Sequence, residues 1–327
     1  MKTYDKIYIL KTSEHVKDDW FSTQNIVETL GNQIEDVYVS HFSNRETNVE
    51  IHATGLNKVL LTSRLDLYEN PNEFIMNIIF AADCLKRQGV SVDLFIPCLP
   101  YARQDRKNGR NVALTSSVVL KMFENYFDKI YVMDLHAPQL EGYISKPLIN
   151  LNPDNIFLEV IRKEIKKHNY KTFSEDWKWV VVSPDAGGVK RAKRFADALG
   201  LPIAIIHKTR DPITNKSISH TLIGDVTGKN CIIVDDMIDS GGTLVDANNM
   251  LKEQGAKEVL LTISHGVLSK PNDHLSELKG YVLNTVIDSF DRLLTVETPK
   301  EIKIIRIEEY FLTNVLGVKM FDSDFGV

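Results

Sequence analysis

The chain has only three cysteines in 327 residues, Cys84, Cys98 and Cys231, and no two of them form a CxxC pair. That excludes a disulfide framework and a cysteine zinc site, and leaves small buried thiols in reducing surroundings. Long apolar runs are missing too. The longest are strand-sized, and MKTYDKIYIL has neither the apolar core nor the small-residue cleavage site of a signal peptide. No membrane partner is therefore expected, and a cytoplasmic location is. Basic residues are in deficit, 39 against 44 acidic for a formal net charge of -5, which argues against a nucleic-acid partner. Neither GxxxxGKS/T nor GxGxxG occurs, so a phosphate site here must be built without a P-loop or a dinucleotide fingerprint.

The remainder is ordinary globular sequence, 43% hydrophobic and 25% charged, long enough for two domains that each bury a core. Short β-branched runs recur: KVLL (58–61), VDLFIPCL (92–99), KIYVMDL (129–135), WVVVS (179–183), PIAIIH (202–207), CIIVDD (231–236) and EVLLTIS (258–264). They are apolar without alternation, as strands covered on both faces should be. Between them lie segments with helical spacing: Phe74, Ile75, Ile78, Ile79, Ala82 and Leu85; Ile156, Phe157, Val160, Ile161 and Ile165; Ala192, Phe195, Ala196 and Leu199; Leu244, Ala247 and Leu251. Gly89, Gly200 and Gly255 stand where left-handed caps are wanted. Strand, helix, strand repeated this way predicts an α/β protein with doubly wound parallel sheets. The polar, proline-bearing stretch ISKPLINLNPDN (144–155) is the expected domain junction.

In such sheets ligands bind beyond the carboxyl ends of the strands, and four of those turns carry unusual chemistry. In CIIVDDMIDSGGT (231–243), carboxylates suit sugar hydroxyls, and glycines at a helix N-terminus suit a phosphate. A helix cap at Ser240 or Thr243 would explain one or two of these residues. It does not explain Asp235 beside Asp236 at a buried strand end, where two carboxylates repel. In SPDAGG (183–188) the glycines suit a polyphosphate and Asp185 a cation or its bound water, while Lys190, Arg191, Lys193 and Arg194 read as a solvated helix face. IPCLPYARQDRK (96–107) gathers Arg103, Gln104 and further charges in one loop, Arg for phosphate and Gln for a base edge or ribose. MDLHAPQ (133–139) ends a strand at Asp134 and His136.

With FSNRETNVEI (42–51) and IIHKTR (205–210), these motifs in this order resemble the ribose-phosphate diphosphokinase family, also called phosphoribosyl pyrophosphate synthetases. The resemblance runs from about Ile7 to Asp288. It implies two domains of phosphoribosyltransferase-like (type I) fold, here 1–152 on the ATP side and 153–310 with the ribose-phosphate and pyrophosphate loops. A tail, 311–327, is then available to pack on the first domain. It implies Mg²⁺-dependent transfer of the β,γ-diphosphoryl group of ATP to the anomeric hydroxyl of ribose 5-phosphate. Carried over residue by residue, Asp235, Asp236, Asp239, Ser240, Gly242 and Thr243 hold ribose phosphate. Asp185, Ala186, Gly187 and Gly188 hold pyrophosphate. His136 and Asp185 contact magnesium. Arg103 and Gln104 contact ATP, and Phe42, Asn44 and Glu46 complete the adenine pocket from a neighbouring subunit of a homo-oligomer, dimer or hexamer. Lys208 and Arg210 are the catalytic cations of a closing loop.

The chain departs from the family pattern at Ser240, usually Thr, and at Gly241, usually bulkier, so the acceptor loop is expected to be smaller and roomier. Asn108 and Asn111 replace residues that are often Asp and Arg, the C-terminal sequence lacks the usual phosphate-regulated pattern, and 166–179 forms a longer linker. Three rival functions follow. One is the same transfer to a larger ribose phosphate such as ADP-ribose. Another is a non-catalytic regulatory subunit, against which Lys208, Arg210, His136 and Asp185 all stand. The last is a plain phosphoribosyltransferase, which needs neither FSNRE nor YARQDRK.

Overall fold

The computed structural model describes residues 3–11, 30–66, 69–107, 109–167, 178–210, 217–269, 273–287 and 301–317, with the backbone alone at 32, 167, 208–210, 217–220, 273–274 and 287. The chain divides into two compact units. Unit 1 comprises Met1–Asn152, Thr285–Asp288 and Ile307–Asp324; unit 2 comprises Pro153–Asn284, Ser289–Arg306 and Phe325–Val327.

Unit 1 is built on six parallel strands, β1 (Lys6–Lys11), β2 (Ile34–Tyr38), β3 (Lys58–Thr62), β4 (Ser91–Phe95), β5 (Lys129–Met133) and β6 (Leu148–Leu151). Their order across the sheet is β2-β1-β3-β4-β5-β6. The chain thus steps outward from β1 to β2 and then reverses to the other side of β1. Helix α1 (Pro71–Arg87) forms where its sequence asks for it. Asn70 caps it by accepting from the Asn72 N–H at 2.9 Å, Pro71 occupies the first turn, and Gly89 leaves it at φ +79°. Its stripe Phe74, Ile75, Ile78, Ile79, Ala82 and Leu85 is buried in the unit 1 core. Helix α2 (Thr115–Glu124) links β4 to β5 and buries Val119, Leu120 and Phe123.

Unit 2 carries α3 (Asp154–Lys167) and a seven-stranded sheet: β7 (Trp179–Ser183), β8 (Ile203–Arg210), β9 (Ser217–Ile223), β10 (Asn230–Ile238), β11 (Glu258–Gly266), β12 (Gly280–Leu283) and β13 (Ile302–Ile305). The order is β9-β8-β7-β10-β11-β12-β13, parallel throughout except for the β8–β9 pair. Here the reversal falls between β7 and β10. Helices α4 (Val189–Leu199) and α5 (Gly242–Glu253) follow those two strands, burying Ala192, Phe195, Ala196 and Leu199 in one and Leu244, Val245, Ala247 and Leu251 in the other. A last helix, α6 (Glu308–Asn314), belongs to unit 1, where Phe311 stacks on Phe95 with ring centroids 4.9 Å apart.

The parallel α/β class is as the sequence predicts, and the expected strands are present with shifted ends. The run at 92–99 stops at Phe95, since Pro97 cannot donate to a ladder. The expected junction 144–155 contains the Asn152/Pro153 boundary between the units and also β6, four residues bracketed by Pro147 and Pro153 and paired with β5. The expected linker 166–179 contributes its first two residues to α3 and Trp179 to β7, while 168–177 lie outside the described residues, as does Asn108. Strand β8 runs on past His207 through Arg210, paired with β9. SISHTLI is mostly polar, so it lacks the continuous apolar run by which the buried strands are recognised. All three cysteines are free thiols, and burial pushes the Cys231 thiol up to about 12. Among the described residues no helix is long and apolar enough to cross a membrane.

Candidate active site

The two phosphate-suited turns of unit 2 leave adjacent parallel strands, β7 and β10, on either side of the reversal in strand order. At such a reversal the two connecting helices depart to opposite sides and open a crevice at the carboxyl edge. Asp185, Ala186, Gly187 and Gly188 connect β7 to α4; Asp239, Ser240 and Gly241 connect β10 to α5.

The first turn is held by its own side chains. Ser183 Oγ donates to the Asp185 carbonyl at 2.7 Å, and Asp185 Oδ1 accepts from the Gly188 N–H at 2.9 Å. A Cβ at Gly188 would stand 3.0 Å from Ser183 Oγ, so a side chain there would crowd the bond that shapes the turn. Ala186 and Gly187 are exposed, where a phosphate can approach backbone rather than side chain.

In the second turn no side chain caps α5, so neither Ser240 nor Thr243 acts as the N-cap that the simple helix-cap reading would require. Both are exposed, and the first helical bonds, from Leu244 and Val245, end on the Gly241 carbonyl. Asp239 reaches sideways instead: its Oδ1 accepts from both the N–H and the hydroxyl of Ser269, just beyond β11. Gly241 has φ +80°, and a Cβ built on it would meet Leu275 Cδ2 at 2.2 Å. Leu275 is fully buried in the unit 2 core. The missing side chain would have pointed into that core rather than into the turn, so its absence leaves the acceptor loop no roomier, contrary to the expectation from sequence.

Asp235 and Asp236 lie within β10, which runs two residues beyond them to Ile238. The Asp236 N–H donates to Asp235 Oδ1 at 2.9 Å, and Arg191 of α4 reaches both, with Nη1 3.4 Å from Asp236 Oδ1 and 3.9 Å from Asp235 Oδ1. Burial, reinforced by the Asp236 carboxylate, pushes the Asp235 carboxyl well above its ordinary range against the opposing pull of Arg191. The sequence reading therefore erred on Arg191, which is no member of a solvated face: its side chain is only 12% exposed. The signal was available, since 191 lies four residues before the buried Phe195 and flanks the apolar stripe of α4. Arg194 is likewise engaged, holding Asp154 through Nε at 2.5 Å and Nη2 at 3.0 Å, whereas Lys190 and Lys193 are exposed.

Lys208 and Arg210 lie on backbone that outruns its neighbour. Pairing of β8 with β7 ends at Ile205, and β8 continues with β9 as a two-stranded arm, Lys208 opposite His220 and Arg210 opposite Ser217, with an irregularity between Thr209 and Arg210. The pair is thus on a strand, not on the loop that the sequence suggested, and residues 211–216 lie outside the described residues.

In unit 1, Arg103 and Gln104 follow β4 and His136 follows β5, so all three stand at the carboxyl edge of neighbouring strands, exposed. The loop is fixed by backbone groups: the Ser116 hydroxyl donates to the Gln104 carbonyl at 2.8 Å and Tyr143 Oη to the Asp105 carbonyl at 2.5 Å. Phe42, Asn44 and Glu46 occupy a hairpin between the short strands Ser40–His41 and Thr47–Asn48, where Phe42 is 57% exposed and Asn44 Oδ1 accepts from the Glu46 N–H at 3.1 Å. Hairpin and loop both touch the first turn of α1, through His41 to Glu73 at 3.5 Å and Tyr101 Oη to Asn72 Oδ1 at 2.6 Å. Among the described residues the non-glycine positions with positive φ are Arg45, Tyr101, Asp134 and Leu268. Three fall in these unit 1 segments and the fourth precedes Ser269, the partner of Asp239. Such backbone costs about 1–3 kcal/mol per residue and collects at binding sites.

Among the described residues no three His, Cys, Asp or Glu side chains cluster as a metal site. Asp185 suits the other mode, in which one carboxylate and the substrate's phosphates share a hydrated magnesium.

A family model described as the N-terminal domain of ribose phosphate pyrophosphokinase matches residues 16–126, and one described as the phosphoribosyl transferase domain matches residues 150–291. The chain is 37% identical over 298 residues to ribose-phosphate pyrophosphokinase of Clostridium acetobutylicum, covering 88% of each. It is 36% identical over 267 residues to ribose-phosphate pyrophosphokinase A of Dictyostelium discoideum, covering 81% of this chain and 80% of that one. The crystal structure of phosphoribosylpyrophosphate synthetase from Mycobacterium smegmatis superposes with a TM-score of 0.78 at 28% identity, over 95% of this chain and 97% of that one. Motif order, parallel architecture and whole-length similarity agree, and the chain belongs to the ribose-phosphate pyrophosphokinase family of enzymes.

Proposed function

We propose that the enzyme makes phosphoribosyl pyrophosphate from ribose 5-phosphate, by transfer of the β,γ-diphosphoryl group of ATP with release of AMP. The observation that carries the reading is the pairing of two phosphate-suited turns across the strand-order reversal of unit 2, with Asp235 and Asp236 between them. The acidic pair receives the ribose hydroxyls, the Ser240–Thr243 turn the 5-phosphate, and the Asp185–Gly188 turn the diphosphoryl group. The anomeric oxygen attacks the β-phosphorus, the bond from that phosphorus to the α,β-bridging oxygen breaks, AMP leaves with the bridging oxygen, and the hydroxyl proton passes to solvent. Negative charge gathers on the phosphoryl oxygens, and Lys208 and Arg210 supply the compensating cations.

Arg103 and Gln104 are the ATP contacts in unit 1, and the Phe42 hairpin, an exposed aromatic with a polar tip, is suited to stack an adenine supplied with a second copy of the chain in a homo-oligomer. Asp185 and His136 are each proposed as residues that would contact magnesium, which would screen phosphate charge when bound. A terminal phosphate fits better than the diester of ADP-ribose, because the space vacated at Gly241 is filled by Leu275.

Purified protein with ATP and Mg²⁺ is offered ribose 5-phosphate or ADP-ribose, and AMP and product are followed by mass. AMP and phosphoribosyl pyrophosphate with the first acceptor alone are expected, and a chelator should abolish both. AMP with neither acceptor would overturn the reading, and AMP with ADP-ribose alone would replace it.

A further inference from the structure

Arg191 stands apart from the cations around it. Lys190 is exposed, Lys193 pairs along the helix with Asp197, and Arg194 holds Asp154, whereas Arg191 crosses from α4 to the carboxylates of β10. It is rooted three residues beyond Gly188, the last residue of the Asp185–Gly188 turn, and its guanidinium lies against Asp236, only 4% exposed. We propose that Arg191 is a positioning residue for the acceptor, holding Asp236, with Asp235 beside it, in the orientation that receives the ribose hydroxyls. This rests on the ribose-phosphate reading of the same site.

Two adjacent carboxylates on a buried strand repel, and with no fixed cation they turn apart or take up a proton. A planar guanidinium answers both problems. It offsets part of the charge, and its donors lie in a rigid plane that fixes the direction of the carboxylate it meets. Asp235 is reached directly, its Oδ1 lying 3.9 Å from Arg191 Nη1 while accepting from the Asp236 backbone N–H, so the one guanidinium bears on both carboxylates. Because α4 begins at the diphosphoryl turn, movement of that turn reaches Asp236 through one short helical segment. Arg191 therefore links occupancy of one turn to the geometry of the other, without touching either substrate.

The test compares R191Q, R191K and, as a neighbouring exposed cation, K190A, in steady-state kinetics with ATP and ribose 5-phosphate. R191Q should raise KM for ribose 5-phosphate about tenfold, the usual worth of a hydrogen bond to a charged group, with KM for ATP unchanged. R191K should recover part of that loss and K190A should match the wild type. Combined with D236N, R191Q should add little, since both remove one interaction. Unchanged KM for ribose 5-phosphate in R191Q, or a fall in melting temperature as its only effect, overturns the proposal while wild-type turnover upholds the reading of the site. A wild type that neither turns over nor binds ribose 5-phosphate overturns both. Should R191Q fail to fold, calorimetric titration of ribose 5-phosphate into R191K decides: several-fold weaker binding supports the role, and wild-type binding overturns it.

Discussion

The two units share an architecture of parallel strands with one reversal of order, and they fill that reversal differently. In unit 2 it is flanked by turns of small residues, Asp185–Gly188 and Asp239–Gly241, and by a carboxylate pair held by Arg191. In unit 1 the reversal lies between β1 and β3, and the side chains at the end of β3 and just beyond it are spent on the protein itself. Thr62 Oγ1 donates to the Phe95 carbonyl and Ser63 Oγ to the Leu10 carbonyl, both at 2.9 Å, and Arg64 and Asp66 are buried. The residues that follow β1 in unit 1, 12–29, lie outside the described residues. Unit 1 sets out its own candidate residues further along the sheet, after β4 and β5, and on a separate hairpin. The same scaffold thus offers a cradle where the turns are small and glycine-bearing, and a plugged edge where polar side chains bond across neighbouring strand ends.

Removing chemistry from unit 2 should therefore affect acceptor and turnover, and removing it from unit 1 should affect the nucleotide. The largest effect is expected for Lys208→Ala, a loss in kcat of about 10³-fold or more with KM for ATP little changed, measured by AMP release. Near-normal turnover would remove the β8–β9 arm from the mechanism. Asp235→Asn comes next, with kcat/KM for ribose 5-phosphate lowered about 100-fold, as for a buried charge-assisted contact.

That second variant also makes a stability prediction of opposite sign. The folded Asp235 carboxyl titrates well above its ordinary value, so ionising it costs the fold stability as pH rises from about 4 toward the folded value. Asn carries no such cost. The melting temperature of D235N should exceed that of the wild type at pH 7, and the gain should vanish below about pH 4, where Asp235 is neutral in both states. A variant that is less stable at pH 7 would contradict the strained pair.

Much of this was legible in the sequence because the cues were local. WVVVS is β7 to the residue, and Gly89, Gly200 and Gly255 all adopt the left-handed conformation their positions suggest. What escaped was set by tertiary partners. β6 is a four-residue edge strand inside a polar stretch, and β9 is a mostly polar strand that exists by pairing with β8. Arg191 looked solvated because the three cations near it, Lys190, Lys193 and Arg194, are exposed, and its carboxylate partners are 44 and 45 residues away. Gly241 suggested room because sequence gives the size of a side chain without its direction, and the direction is toward Leu275.

The smaller effects sharpen the contrast. Arg103→Ala in unit 1 should raise KM for ATP about tenfold and leave KM for ribose 5-phosphate alone. An equal effect on both substrates would erase the division between units. Gly241→Ala should destabilise the protein by about 1–3 kcal/mol through overpacking and raise KM for ribose 5-phosphate a few-fold. Adding Leu275→Ala should relieve the clash, and neither variant should gain activity with ADP-ribose. Gain of that activity in G241A/L275A would show that the core behind Gly241 sets acceptor width after all.

The most direct measurement is a crystal structure of the enzyme soaked with ribose 5-phosphate. The account predicts the 5-phosphate at the backbone N–H groups of the Ser240–Thr243 turn, with the ribose hydroxyls on Asp235 and Asp236. Ribose 5-phosphate bound in unit 1, or in unit 2 away from the β7–β10 reversal, would contradict it.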